Sequence, residues 1–398
     1  MVNYQQASED TFWIGGSDRR LALFENLFPL PGGISYNSYA VLDEKTVLFD
    51  TADISIADQY LENLQAVLGE RRPDYLVVLH MEPDHCALLQ TVVQLYPEVT
   101  LVGSAQTFRF ISQFFPALDS VQKKIVKEGD VLESGRHKFT FIAAPMVHWP
   151  EVLFAYDSCT KALFSADAFG TFGALQGSIF ADECDFEHQY LDEARRYYAN
   201  IVGKFGMQTA NVLKKAAALD IERILPLHGP VWRKDVSSFI GYYQKWSTYT
   251  PDSDDILVVY ASLYGHTASA AQAIAAKIQE KSGRHVHVYD VSKTDVSYLI
   301  SEVWHCGKIV LASATYNGGL YPKMSAFLED CGALQVQNRT FALAENGTWA
   351  PAAGRLMKAK IEAFKNCTVL PDILSIKSAL HAGDEEKLDA FAQAVVDA

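Results

Sequence analysis

Seven side chains able to bind metal stand at or beside the ends of four apolar runs in the first 230 residues, and nothing else constrains this chain as strongly. They are His80, Glu82, Asp84 and His85, in His80-Met-Glu82-Pro-Asp84-His85, followed by His148, Asp167 and His228. Tyr75–Leu79 leads into the first group, Phe139–Ala143 toward His148, Ala162–Ala166 into Asp167 and Ile224–Leu227 into His228. Short apolar, β-branched and aromatic runs of this kind read as strands, so four strand ends are expected to converge on one sheet edge. A single histidine is as often a core or surface residue as a ligand, but four imidazoles and three carboxylates, all at strand ends, point to a pair of metal ions. The set is oxygen-rich, which suits iron or manganese better than zinc, and Asp167 is the natural bridge. Pro83 cannot continue a strand, so Glu82, Asp84 and His85 are expected on an irregular loop.

The chain changes character after Pro251-Asp-Ser-Asp-Asp255, a polar, turn-rich stretch that reads as a linker. It is followed by the strand Ile256–Tyr260, the loop Ser262-Leu263-Tyr264-Gly265-His266-Thr267, and an Ala-rich helix Ala268–Lys281 closed by Gly283. Backbone N–H groups at a helix start, with the Ser262 and Thr267 hydroxyls, can hold a phosphate without a lysine. There is no Walker lysine and no Gly-x-Gly-x-x-Gly, so a nucleoside triphosphate or a dinucleotide is the weaker reading. Two further strands, Ile309–Ala312 and Phe341–Ala344, lead into Thr315-Tyr316-Asn317-Gly318-Gly319 and Glu345-Asn346-Gly347-Thr348-Trp349. Both are Gly-bearing loops at strand C-termini, and Tyr316, Tyr321 and Trp349 offer faces for a flat ring.

The metal motif resembles that of the metallo-β-lactamase superfamily, whose hydrolases read His-x-His-x-Asp-His where this chain has Glu82. That exchange, with His148, Asp167 and His228 following in order, resembles the flavodiiron proteins, also called A-type flavoproteins. The resemblance implies one iron on His80, Glu82 and His148, a second on Asp84, His85 and His228, and Asp167 between them. It also implies an α/β chain in two parts. Residues 1–250 would form an αβ/βα metallo-β-lactamase-like sandwich and residues 251–398 a flavodoxin-like doubly wound sheet. FMN would sit on Ser262–Thr267, on Thr315–Gly319 and on Asn346, Gly347 and Trp349. Two departures leave the ring-stacking residue and the flavin potential open: family members often carry a Ser-Tyr-Gly-Trp-like run where this chain has Glu345–Trp349, and His266 stands where many flavodoxin-like loops carry Asn.

Length agrees with two cores, since 398 residues exceed what one usually organises. Strand-like runs at Phe12–Ile14, Ser35–Val41 and Thr46–Phe49 precede an amphipathic helix Ile54–Leu68, and the second part alternates strand and helix to Glu385–Val396. A net charge of −14 without clustered cations argues against nucleic acid. With no run of 18 apolar residues and no signal-like start, the expectation is a cytoplasmic protein without a membrane span. The six dispersed cysteines contain no Cys-x-x-Cys, so no fused rubredoxin-like iron site is expected; they read as reduced, mostly buried thiols, with Cys86 placed beside the metal motif where oxidation could reach it.

By the resemblance, the chain is a flavodiiron oxidoreductase. Two electrons from the irons and two from FMN would take dioxygen to water, or the irons would take nitric oxide to nitrous oxide. Electrons would come from an external donor (rubredoxin, a flavin reductase or a reduced deazaflavin). The implied assembly is a head-to-tail homodimer, or a dimer of dimers. Two other readings remain at this stage: a dinuclear zinc hydrolase with an appended flavodoxin-like domain, and an electron carrier with a vestigial metal site.

Overall fold

The computed structural model describes residues 2–398, which divide into two compact units: the chain up to Tyr198 with Phe205–Gln244, and Ala199–Lys204 with Lys245–Ala398. In the first unit two sheets lie face to face. One has seven strands in chain order: Gln5–Gln6, Thr11–Trp13, Tyr39–Leu42, Thr46–Phe49, Tyr75–Val77, Thr100–Gly103 and Lys123–Ile125. The other has five, again in chain order: Val131–Glu133, Lys138–Ala143, Leu153–Asp157, Ala162–Phe164 and Arg223–Leu225. Aromatic side chains join them. Phe49 of the first sheet stacks on Phe164 of the second at 3.9 Å and meets Phe139 edge-on at 5.1 Å, and all three rings are fully buried. Such ring pairs add about 0.5–1.5 kcal/mol each beyond the area they bury.

This arrangement corrects the single-edge expectation. The strand before His80 belongs to the first sheet, whereas those before His148, Asp167 and His228 belong to the second. The ends approach one another because Leu153 N–H donates to Leu79 C=O at 3.1 Å, tying the second sheet to the turn that carries His80. The Ser35–Val41 run also breaks in two, Ile34–Tyr36 and Tyr39–Leu42. Asn37 has turned away to serve the His228 loop, donating from its backbone to Leu227 C=O and from its amide to Pro226 and Gly229 C=O. Nor is the Pro83 segment irregular, for Pro83–Cys86 is a helical turn with Glu82 as its N-cap residue. Proline suits the first helical position because its missing N–H would have had no partner there.

The second unit is a parallel sheet whose strands Ser253–Ala261, Val286–Asp290, Cys306–Tyr316, Thr340–Asn346 and Thr368–Val369, numbered in chain order, lie 2-1-3-4-5. This is the flavodoxin-like order, with its ligand crevice at the C-terminal strand ends. Helices His266–Ser282 and Glu385–Asp397 cover one face, packing Ile274, Ile278, Phe391 and Val395 with Val258 and Val310 of the sheet. Part of the expected linker is strand, since Ser253 already pairs with Cys306 before a register shift restores the ladder at Ile256. Thr315 and Tyr316 are also in strand: they form a hairpin with Gly319–Leu320, turning through Asn317 and Gly318 at φ 50° and 72°. Two consecutive positive φ values suit an Asn-Gly pair, which matches the right-handed twist of the flanking strands.

Candidate metal centre and flavin crevice

The seven metal-binding candidates meet in two groups. His80, Glu82, His148 and Asp167 form one, Asp84, His85 and His228 the other, with donor atoms inside each within 4.8 Å of one another. In the first, His148 Nε2 stands 3.0 Å from Glu82 Oε2 and 3.1 Å from Asp167 Oδ2, and His80 Nε2 stands 3.3 and 3.6 Å from the same two oxygens. In the second, Asp84 Oδ2 is 3.5 Å from His85 Nε2 and 3.3 Å from His228 Nε2. Asp167 divides its oxygens between them. Its Oδ1 faces His85 Nε2 at 3.0 Å and His228 Nε2 at 3.9 Å, while Oδ2 faces the first group.

Whether this set fits metal ions is decided by its unmet polar atoms. Both oxygens of Asp84, both ring nitrogens of His85, Oδ1 of Asp167 and Nε2 of His228 are buried without a hydrogen bond. Four of them face one another only as ion pairs, and a buried atom left wholly unmet costs about 1–3 kcal/mol, so the pocket carries a burden that a cation would relieve. Most of the donor separations above also match polyhedron edges for metal–ligand bonds of about 2.0–2.2 Å.

Two imidazoles are aimed by groups that leave no sequence signature. His80 Nδ1 donates to Glu151 Oε1 at 2.8 Å, and His228 Nδ1 donates to Ser35 C=O at 2.7 Å, so each ring turns Nε2 inward. Glu151 also accepts from Met81 N–H at 2.9 Å, and Asp50 Oδ1 accepts from Leu79 N–H at 2.8 Å. Outer partners of this kind are worth about 10–100-fold in metal affinity. Glu151→Gln is therefore expected to weaken iron retention by about 10-fold or more with the fold intact, measured by iron content after timed chelation. Unchanged retention would remove Glu151 from the site.

Without metal the groups hold one another charged. Burial works against charge on His85 and His148, but Asp84 and Asp167 for the first, and Asp167 and Glu82 for the second, outweigh it and bring both to about 9. Burial likewise opposes charge on Glu82 and Asp167, yet the facing imidazoles hold both well below the usual carboxylate range. The sign follows from linkage. Imidazoles raised from 6.5 stabilise fully below that pH and lose the contribution as pH rises through about 9. The depressed carboxylates, the same pairs seen from the other side, lose theirs in acid. The iron-free protein is thus expected to melt lower near pH 9 than near pH 6, and iron loading, which needs neutral imidazoles, should flatten the difference. Equal melting of chelated protein at both pH values would refute this coupling.

Two more groups border the pocket. Glu25, in the turn between Leu23–Phe24 and Phe28–Pro29, is brought to about 8 by burial and by the neighbouring Glu82 carboxylate. The Tyr197 hydroxyl is buried without a hydrogen bond, and its ring lies 5.5 Å from that of His228. Cys86 departs from expectation. It is 1% exposed, donates to Met81 C=O, and burial with nearby Asp84 raises its thiol far from the reactive thiolate form.

In the second unit a crevice of about 390 Å³ opens at the C-terminal strand ends, within the range of small-ligand sites. Ser262, Leu263, Tyr264, His266 and Thr267 line it, as do Thr315, Tyr316, Asn317, Gly318, Asn346, Gly347 and Trp349. Gly265 and Gly319 do not. Gly265 instead caps the helix His266–Ser282 at φ 98°, a conformation that favours glycine, and its N–H is held by Ser262 Oγ. Thr315 Oγ1 is occupied by the N–H groups of Ala352 and Ala353, so it caps a helix as well as lining the crevice. Sequence reading missed Ser378, which also lines the crevice and exchanges hydrogen bonds with Asn346. Tyr264 and Trp349 are 92% and 89% exposed, leaving ring faces available.

Comparison with known proteins agrees with this geometry. The family described as ODP family beta lactamase matches residues 34–229, and a flavodoxin domain matches 257–354. The anaerobic nitric oxide reductase flavorubredoxin of Pectobacterium atrosepticum is 30% identical over 369 residues, covering 88% of this chain and 70% of that protein. A flavodiiron protein of Giardia intestinalis superposes with a TM-score of 0.87 at 26% identity, over 100% of this chain and 96% of its own. The chain belongs to the flavodiiron protein family. It is an oxidoreductase whose cofactors are FMN and a pair of non-haem irons. This flavodiiron chain spans 65% to 72% of the length of the curated flavorubredoxins it matches. It is also 27% identical over 361 residues to the nitric oxide reductase of Moorella thermoacetica, covering 90% of this chain and 89% of that one. Among the described residues no helix is long and apolar enough to cross a membrane.

Proposed function

We propose that this flavodiiron protein reduces dioxygen to water, nitric oxide to nitrous oxide, or both. The irons would lie on the seven residues of the first part, within 1–250, and FMN in the crevice of the second, within 251–398. The observation that carries the reading is Asp167, whose two oxygens face two separate donor groups. When bound, the irons supply two electrons and reduced FMN two more, enough for dioxygen with four protons or for two pairs of nitric oxide with two protons each. The chain's own part is position and protons. Nε2 of His80, His148 and His228 and the oxygens of Glu82, Asp84 and Asp167 would hold the two cations, with His85 available to the second group. In the metal-free pocket burial and the neighbouring Glu82 carboxylate bring Glu25 to about 8, which places a carboxyl able to carry a proton beside Glu82. The Tyr197 hydroxyl, without a partner of its own and with its proton held by burial, is placed to donate a hydrogen bond.

An external reductant, of rubredoxin, flavin reductase or deazaflavin type, would load the flavin. A head-to-tail homodimer, alone or doubled, would bring the crevice of one subunit to the metal centre of the other. The test is anaerobic reduction followed by stopped-flow mixing with each gas. Flavin oxidation faster than in an iron-free control supports the reading for that gas. If neither gas does better than the control, the reading fails. Zinc in place of both irons on the seven residues of the first part, in freshly isolated active protein, would favour the hydrolase alternative.

A further inference from the structure

A third group of metal-binding side chains lies in the second unit, at the sheet edge opposite the flavin crevice. Donor atoms of His287, His305 and Cys306 fall within 4.8 Å of one another. They come from three elements: His287 from the strand Val286–Asp290, His305 from the last position of the helix Val296–His305, and Cys306 from the start of the next strand. Asp255, on the strand between those two, stands against the two imidazoles without belonging to that group. Its Oδ2 is 3.3 Å from His287 Nε2 and 3.4 Å from His305 Nε2.

The other ring nitrogens face carboxylates without hydrogen-bonding to them. Glu302 Oε2 lies 3.3 Å from His287 Nδ1, and Asp252 Oδ2 lies 3.8 Å from His305 Nδ1. One nitrogen inward and the other toward a carboxylate is how metal-binding histidines are usually oriented. These contacts lie at the long end for histidine–carboxylate hydrogen bonds. Elsewhere in this protein such bonds include 2.8 Å for His80 with Glu151 and 3.2 Å for His137 with Asp10. Here they run from 3.3 to 3.8 Å, and the two that meet at Asp255 match the edge of a tetrahedron with bonds of about 2.0–2.1 Å.

We propose that His287, His305 and Cys306, with Asp255 beside the two imidazoles to close on the ion, form a binding site for a zinc-class divalent cation, separate from the iron pair. Two imidazoles, one thiolate and one carboxylate are borderline-soft donors, suited to zinc rather than to magnesium or calcium. Cys306 is fully buried, and the side chains of His287 and His305 are 20% and 18% exposed, so the donors are packed yet reachable from solvent. A cation there would tie together the first residues of three neighbouring strands. It therefore acts on the stability of the flavin-bearing unit, not on the gas chemistry.

Cobalt(II) is the probe, added to the full chain carrying its iron and FMN. The expected result is a near-ultraviolet thiolate-to-cobalt band that saturates at one equivalent and is displaced by zinc. No cysteine is among the seven proposed iron ligands, so exchange at that centre gives no such band. Cys306→Ser should abolish the band, and His287→Ala with His305→Ala should weaken cobalt binding at least 10-fold, with FMN content and gas reduction unchanged. Should the histidine variant fail to fold, Asp255→Asn is expected to weaken binding in the same direction. A band that survives Cys306→Ser, or no band in the parent protein at 10 equivalents of cobalt, overturns the site.

Discussion

An Asp167→Ala chain is expected to lose both irons and, with them, gas reduction by at least about 100-fold, while keeping its FMN. One outer partner of a ligand is worth about 10–100-fold in affinity. Asp167 should exceed that, because Oδ2 stands 3.1 Å from His148 Nε2 and Oδ1 stands 3.0 Å from His85 Nε2, one oxygen for each donor group. The loss would not be confined to one ion. Removing the carboxylate also takes away a main counter-charge of His80, His85 and His148, leaving buried imidazoles that repel an incoming cation. Flavin content reports the second unit independently, so a variant with FMN absorbance but without iron separates site loss from misfolding. Near-normal iron with near-normal turnover would show that Asp167 is not the bridge.

Mixed dimers should recover activity that neither parent homodimer has. One parent carries His80→Ala, which removes a donor from the first metal group. The other carries Ser262→Glu with His266→Glu, two substitutions in the loop and first helical turn that would repel a phosphate. Both positions line the crevice, and His266 is exposed, so the change alters charge without disturbing the core. If electrons pass between subunits in a two-fold pair, each heterodimer holds one intact flavin facing one intact iron pair and reaches up to about half of normal turnover. If they pass within a subunit, every pairing contains a lesion and the mixture stays inactive. A dead mixture with subunit exchange verified by mass would rule out the head-to-tail arrangement.

The metal candidates were legible because the chemistry restricts residue type and the strands restrict position. His80, His148, Asp167 and His228 each follow an apolar run closely enough for a sheet edge to present them. What the sequence hides is how those runs pair. Periodicity marks a strand but not its sheet, so the convergence of two sheets was read as one edge. Glu151 sits in the turn Trp149-Pro-Glu151, with no pattern to distinguish it, and gains its role only when Leu153 pairs with Leu79. Glu25 and Tyr197 reach the pocket by tertiary packing alone. In the second unit the loop Ser262–Thr267 was legible as the link between a strand and a helix. The Thr315–Tyr316 hairpin was not, because a loop rich in Asn and Gly looks the same in sequence whether or not its flanks pair.

The recruitment of ligands from two sheets also sets an order of events in biosynthesis. A nascent chain that has emerged as far as Cys159 already displays His80, Glu82, Asp84, His85 and His148, but Asp167 and His228 are still to come. Iron captured then would find only part of each group and nothing to separate one ion from the other. A pocket complete only once both sheets have folded would offer the full donor set to iron, with its imidazoles and carboxylates facing one another until then.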